Sequence, residues 1–213
     1  MTTRRLSLAV MLLFLAGMHL MFVGGGDSVN AELHFCPPAD TETVTVTIDA
    51  FSRITLPLDM PQYDIPLPLQ LQKFIWEVCQ QHTLSYEFVL SVIYAESNFI
   101  IGAVGVTKDL GLMQLNPYNT VGWLADKVGI KNFDPMNPYH NVEAGVWYLA
   151  YIRDYWEQYG VSHERTFELI LLSYNRGING ATTHVKRLGA KAYESGYVLK
   201  VSQFKQNLEK GAE

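Results

Sequence analysis

Ser85-Tyr86-Glu87-Phe88-Val89-Leu90-Ser91-Val92-Ile93-Tyr94-Ala95-Glu96 is the stretch on which the fold turns. Val89, Val92 and Ile93 recur at helical spacing behind Ser85, a residue type that caps helix N-termini through its hydroxyl. The next position on that face is Glu96, so a carboxylate completes an apolar stripe. Asn98, Ile101 and Gly102 leave the helical pattern, which puts Glu96 in the last turn, where the negative end of the helix dipole disfavours a carboxylate. Desolvation and dipole both raise its pKa and favour the protonated form that a general acid needs. A lone glutamate at a helix end more often swings out to solvent or pairs with a lysine, so its neighbours must decide its role.

Outward from this helix the chain keeps a helical rhythm. Leu71, Phe74, Ile75 and Val78 form an earlier face. A longer helix is expected from near Pro138 to Tyr159, with Val142, Val146, Leu149, Ile152 and Trp156 on one side and Gly160 at its end. Ser162 is expected to cap a further helix carrying Phe167, Ile170, Leu171 and Tyr174 and stopped by Gly177. Shorter helical patterns follow at 181–188 and 193–208. The expectation is one compact, mainly α domain over residues 67–213 without internal repeats. Residues 32–66 read differently: Val44, Val46 and Ile48 alternate with threonines as one short strand, and Pro57, Pro61, Pro66 and Pro68 follow, as in a tether.

Arg4 and Arg5 precede an apolar run, residues 6–23, then three glycines and Val29-Asn30-Ala31. Residues 1–31 therefore read as a signal peptide with cleavage after Ala31, or as an uncleaved membrane anchor attached through residues 6–23. Either way the protein is expected to be exported, to the cell envelope or beyond. The chain has 213 residues, 48% hydrophobic and 17% charged, with a formal net charge of −5. That excludes a disordered chain and a multi-span membrane protein, and it leaves no nucleic-acid footprint. Lys186, Arg187 and Lys191 form a modest basic cluster, read as a solvated helix face. Cys36 and Cys79 carry no disulfide framework, and two free thiols are expected. His34, His82, His140, His163 and His184 show no paired ligand spacing, so neither a metal nor an organic cofactor is expected.

Three segments follow in order: Glu96-Ser97-Asn98-Phe99, Gly111-Leu112-Met113-Gln114 and Ser173-Tyr174-Asn175-Arg176-Gly177. Together they resemble the catalytic domain of the soluble lytic transglycosylases, with its E-S-x-F, G-L-M-Q and A-Y-N-x-G motifs and a fold similar to goose-type lysozyme. The resemblance covers roughly residues 67–189 and includes Asn141-Val142-Glu143-Ala144-Gly145. It implies that Glu96 is the single catalytic acid/base. It also implies that Met113 and Gln114 line the cleft, that Tyr174 and Asn175 face the glutamate and the substrate, and that Ser97 belongs to the substrate-binding set.

The chain departs from the pattern at Ser173, where alanine is usual, and over Gly105-Val106-Thr107-Lys108-Asp109-Leu110, where Thr107 is expected to supply a hydroxyl to substrate. The resemblance further implies cleavage of the β-1,4 bond between MurNAc and GlcNAc in peptidoglycan strands, leaving 1,6-anhydromuramyl ends. It names no protein partner. A hydrolytic muramidase is the close alternative and would want a second carboxylate. Asp109 is the nearest candidate, although a loop carboxylate before Gly111 more often accepts backbone N–H bonds. A catalytically silent wall-binding module is the alternative of a different class.

Overall fold

The computed structural model describes residues 18–22, 31–35, 43–47, 53–118, 121–161 and 163–211; for residues 18–22, 31–35, 43–47, 53–55, 163 and 164 the description is of the backbone. The chain divides into two compact units, Met1–Asp59 and Met60–Glu213. In the first, β1 (Met18–Phe22) pairs antiparallel with β2 (Ala31–Phe35), and β3 (Thr43–Thr47) with β4 (Arg53–Pro57). β3 is the strand expected from Val44 and Val46; Ile48 lies outside the described residues. Its partner β4 was not expected, because Ile54 and Leu56 give only two alternating apolar positions before Pro57. β1 falls within the apolar run read as a leader, most of which, with the cleavage site's flank at 23–30, lies outside the described residues.

The second unit carries the helices. α1 (Leu69–Gln81) follows Pro68 and buries Leu71, Ile75, Val78 and Cys79. Residues ahead of α1 belong to this unit: Tyr63 donates its hydroxyl to Glu87 at 2.8 Å, and its ring lies against Tyr86. α2 (Tyr86–Ser97) starts as expected, with the Ser85 hydroxyl accepting the Phe88 N–H at 3.2 Å. It ends at Asn98, which takes the left-handed conformation (φ 52°) that an asparagine tolerates better than most residues. Val89, Leu90, Val92 and Ile93 are fully buried, so α2 runs through the core and is covered on more than one face. Burial on that scale supplies the main favourable term for folding, about 1.5–3 kcal/mol for each large apolar side chain.

α3 (Val121–Val128) has no counterpart in the sequence reading. Its eight residues bury one side chain, Leu124, too short a pattern to register as periodic. α4 (Pro138–Gln158) is capped by Asn137, whose side chain accepts the N–H groups of Tyr139 and His140, with Pro138 at the first helical position. Val142, Val146, Leu149 and Ile152 are fully buried along one side, as expected.

α5 (His163–Leu188) is interrupted at Gly177, where φ 71° and ψ 157° break the helix into two limbs, so the stop read at Gly177 is a sharp bend between helices. Ser162, the expected cap, lies outside the described residues. A 3-10 turn (Gly189–Glu194) leads into α6 (Gly196–Gly211). α6 packs on α2, α4 on both α1 and α5, and α3 on α4. Cys79 is a buried free thiol, while Cys36 lies outside the described residues. Among the described residues no helix is long and apolar enough to cross a membrane.

Candidate active site

The C-terminal turn of α2, the loop between α2 and α3, the middle of α4 and the bend in α5 enclose a cleft of about 440 Å³. It is lined by Glu96, Asp109, Gln114, Tyr148, Tyr174 and Asn175, with Leu115, Asn116, Arg176 and Gly177 completing the wall. Segments separated by some eighty positions of sequence thus face one space, and the three motifs each contribute to it.

Glu96 is part-buried and its pKa is raised to about 7. Burial is the largest cause; the Asp109 charge pushes the same way, while the Tyr197 hydroxyl and the Lys200 ammonium oppose it. Tyr197 donates to Glu96 Oε1 at 2.5 Å. Lys200, one turn further along α6, donates to the carbonyl of Ala95 at 2.8 Å and so sets a cation at the negative end of α2. Tyr197 and Tyr174 are both held well above the ordinary tyrosine range, first by burial and then by the Glu96 charge, so both stay protonated donors.

Tyr197 is the residue that sequence reasoning missed. It lies in none of the motifs quoted, at the start of α6 and a hundred positions from Glu96. The only local signal is a tyrosine following Ser195-Gly196 at a helix start, which is weak. The resemblance implies that Tyr174 faces the glutamate. Tyr174 donates to the backbone carbonyl of Met113 at 2.8 Å, tying α5 to the Gly111-Leu112-Met113-Gln114 turn, while its ring lines the cleft and leans on Tyr148.

Other site expectations are redistributed in the same way. Ser97 is buried, and its hydroxyl bonds the carbonyl of Ile93 at 3.0 Å within α2, so it completes the helix end and does not line the cleft. Met113 is fully buried, with its side chain packed where a Cβ on Gly145 would have to sit. It does not line the cleft: the turn points the methionine inward as an anchor, and its carbonyl holds the Tyr174 hydroxyl.

Gln114 does line the cleft. Its amide nitrogen is taken up by the carbonyls of Gly111 at 2.8 Å and Ala103 at 3.2 Å, and its φ of 47° is a left-handed turn geometry. Thr107 is exposed, and its hydroxyl donates to Asp109. Asn175 is exposed on the cleft wall.

Asp109 is in the cleft with Glu96. Its donors are side chains, the Thr107 hydroxyl and the Asn116 amide at 2.6 Å, in place of the backbone N–H groups expected for a loop carboxylate. The loop is held by paired backbone bonds between Leu110 and Leu115 and by Asn141, a fully buried residue of α4. Asn141 accepts the Met113 N–H and donates to the carbonyls of Leu110 and Pro135, all at 2.8 Å. Gly111, at φ 76°, passes so close to that amide that an added Cβ would meet it.

Of the tyrosines along α4, Tyr148 reaches the cleft. Tyr151 stacks on it and on Trp147, and Trp123 of α3 meets all three edge-on.

The transglycosylase SLT domain model matches residues 74–196. Two solved structures share the fold. One is an inactive glutamate-to-glutamine mutant of lytic transglycosylase Slt from Pseudomonas aeruginosa, at TM-score 0.55 and 17% identity over 69% of this chain and 25% of that one. The other is the 70 kDa soluble lytic transglycosylase Slt70 from Escherichia coli, at TM-score 0.55 and 19% identity over 68% of this chain and 25% of that one. The chain therefore spans about a quarter of the length of either protein. No curated protein sequence matches.

Proposed function

Because the chain belongs to the transglycosylase SLT domain family, we propose that it is a peptidoglycan lytic transglycosylase with Glu96 as its single acid/base. What carries the reading is one arrangement: a carboxyl half-protonated near pH 7, set in an open polar cleft and gripped by a tyrosine hydroxyl. Glu96 protonates the glycosidic oxygen between MurNAc and GlcNAc as the bond to the anomeric carbon breaks, and the substrate's acetamido oxygen assists at that carbon. The carboxylate so formed takes the proton of the muramyl 6-hydroxyl, whose oxygen closes on the anomeric carbon. The product is a 1,6-anhydromuramyl end, water is not consumed, and Glu96 returns to its protonated form. The proposal requires neither a metal nor an organic cofactor.

The Pseudomonas aeruginosa neighbour is inactive in its glutamate-to-glutamine form, which agrees in kind with an essential carboxyl. We further propose export, with residues 1–31 as leader or anchor, since the substrate lies outside the cytoplasm. Protease accessibility of the chain in intact cells checks this, and full protection would overturn it.

One observation favours the hydrolytic alternative: Asp109 shares the cleft with Glu96, where a second carboxylate could activate water. Mass spectrometry of muropeptides released from purified peptidoglycan separates the two. Anhydro ends are expected, and reducing ends would replace the transglycosylase reading with a muramidase one. E96Q is expected to lose at least about a hundredfold in cleavage rate with its thermal midpoint retained. Undiminished lysis by E96Q would sink the assignment of Glu96, and wild-type binding without cleavage would leave a wall-binding module.

A further inference from the structure

Arg176 occupies the variable position of the Ser173-Tyr174-Asn175-Arg176-Gly177 segment, so neither the fold nor the motif calls for an arginine there. It ends the first limb of α5, and the bend at Gly177 leaves it exposed on the cleft wall next to Asn175. Among the described residues it has neither an ion-pair partner nor a hydrogen-bond partner. Gly180 gives its stem room, since a Cβ there would stand 3.0 Å from the Cβ of Arg176. His184, in the second limb of α5, lies within electrostatic reach of both Arg176 and Arg187. Arg176 runs against the net charge of −5 of the whole chain and against the two carboxylates, Glu96 and Asp109, that line the same cleft.

A cleft with carboxylates in one part and an uncommitted guanidinium in another sorts the groups of an extended ligand by charge. Guanidinium is the side chain best matched to a planar carboxylate, through two parallel N–H donors. Peptidoglycan strands carry such groups on the peptide stems of alternate sugars. We infer that Arg176 forms a subsite for a stem-peptide carboxylate, so that the enzyme prefers strands with anionic stems. The inference rests on the proposed function for its substrate. In that arrangement Arg176 draws the anionic stem to its own wall, away from Glu96 and Asp109, and so fixes the register of the strand over Glu96.

The test compares two soluble strand preparations of equal length, one with native stems and one with stem carboxyls converted to carboxamides. Cleavage by the full chain is measured as kcat/KM, and binding is measured in the non-cleaving E96Q variant. Wild type is expected to favour native stems by about tenfold, chiefly through KM, and R176A to lose that preference while R176K keeps part of it. The same loss is expected in binding when R176A is combined with E96Q. If R176A weakens both preparations equally, or if the preference survives in R176A, the carboxylate subsite is wrong. If wild type cleaves neither preparation, the proposed function fails, and the binding comparison in E96Q alone still decides the subsite.

Discussion

At the residue scale the chemistry concentrates on Glu96 and the groups that set its proton. Its pKa of about 7 arises mainly from burial, with Asp109 adding to the rise and Tyr197 and Lys200 opposing it. The general acid is the protonated form, so cleavage is expected to fall as pH rises through about 7. The hydrogen bond from Tyr197 favours the charged form. Its removal in Y197F should move this alkaline limb to higher pH, and loss of orientation should lower the maximal rate by about tenfold. Removing the Asp109 charge acts oppositely, so D109N should move the limb to lower pH while leaving an active enzyme. A pH–rate profile of kcat/KM for the three proteins checks both directions. Limbs that coincide would mean that Glu96 is not the titrating acid, and a dead D109N would favour the two-carboxylate hydrolytic route.

At the scale of elements, the cleft depends on how α4 holds the loop that carries Gln114. Asn141 makes three hydrogen bonds to that loop from a fully buried position, and Gly145 leaves the space that the Met113 side chain fills. N141L would leave the buried Met113 N–H and the Pro135 carbonyl without their partner and the Leu110 carbonyl with the Leu115 N–H alone, and should cost about 3 kcal/mol. G145A forces an added methyl into the Met113 side chain and should cost about 1–3 kcal/mol, because a packed core yields little. Denaturant titration measures both losses. Both variants should also lose cleavage under conditions where they remain folded, because the carbonyl that anchors Tyr174 belongs to the same turn. A stability loss without any change in cleavage would show that the loop's position does not govern the site. α6 has an equivalent role on the other side: Phe204 stacks on Tyr94 at 3.9 Å between ring centroids, which seats Tyr197 over the end of α2.

At the scale of the whole molecule, the helices and the cleft belong to the unit Met60–Glu213. A chain beginning at Met60 is expected to unfold at the midpoint of the full chain and to keep its cleavage of soluble strands. Calorimetry and the muropeptide assay check this, and a lowered midpoint would mean that the first unit supports the second.

Much of the second unit is legible in the sequence, because α2 and α4 announce themselves through local signals. An apolar face at helical spacing, the capping Ser85 of α2 and Gly160 just past α4 are properties of neighbouring residues. The same local reading finds Glu96, a carboxylate where the stripe demands an apolar side chain. It misses α3, whose eight residues bury a single large side chain, and β4, where alternation ends after two positions.

Which atoms meet Glu96 is a different kind of question. Tyr197 reaches it because α6 packs on α2; Tyr174 turns to the Met113 carbonyl; Ser97 and Met113 are taken into the core; Asp109 joins the cleft. The sequence by itself determined the helices other than α3, the Ser85 cap and the anomalous carboxylate, since each rests on a pattern within a few turns. The tertiary structure alone decided which hydroxyl holds that carboxylate and which charges surround it, since these contacts join residues up to a hundred positions apart and depend on how helices pack.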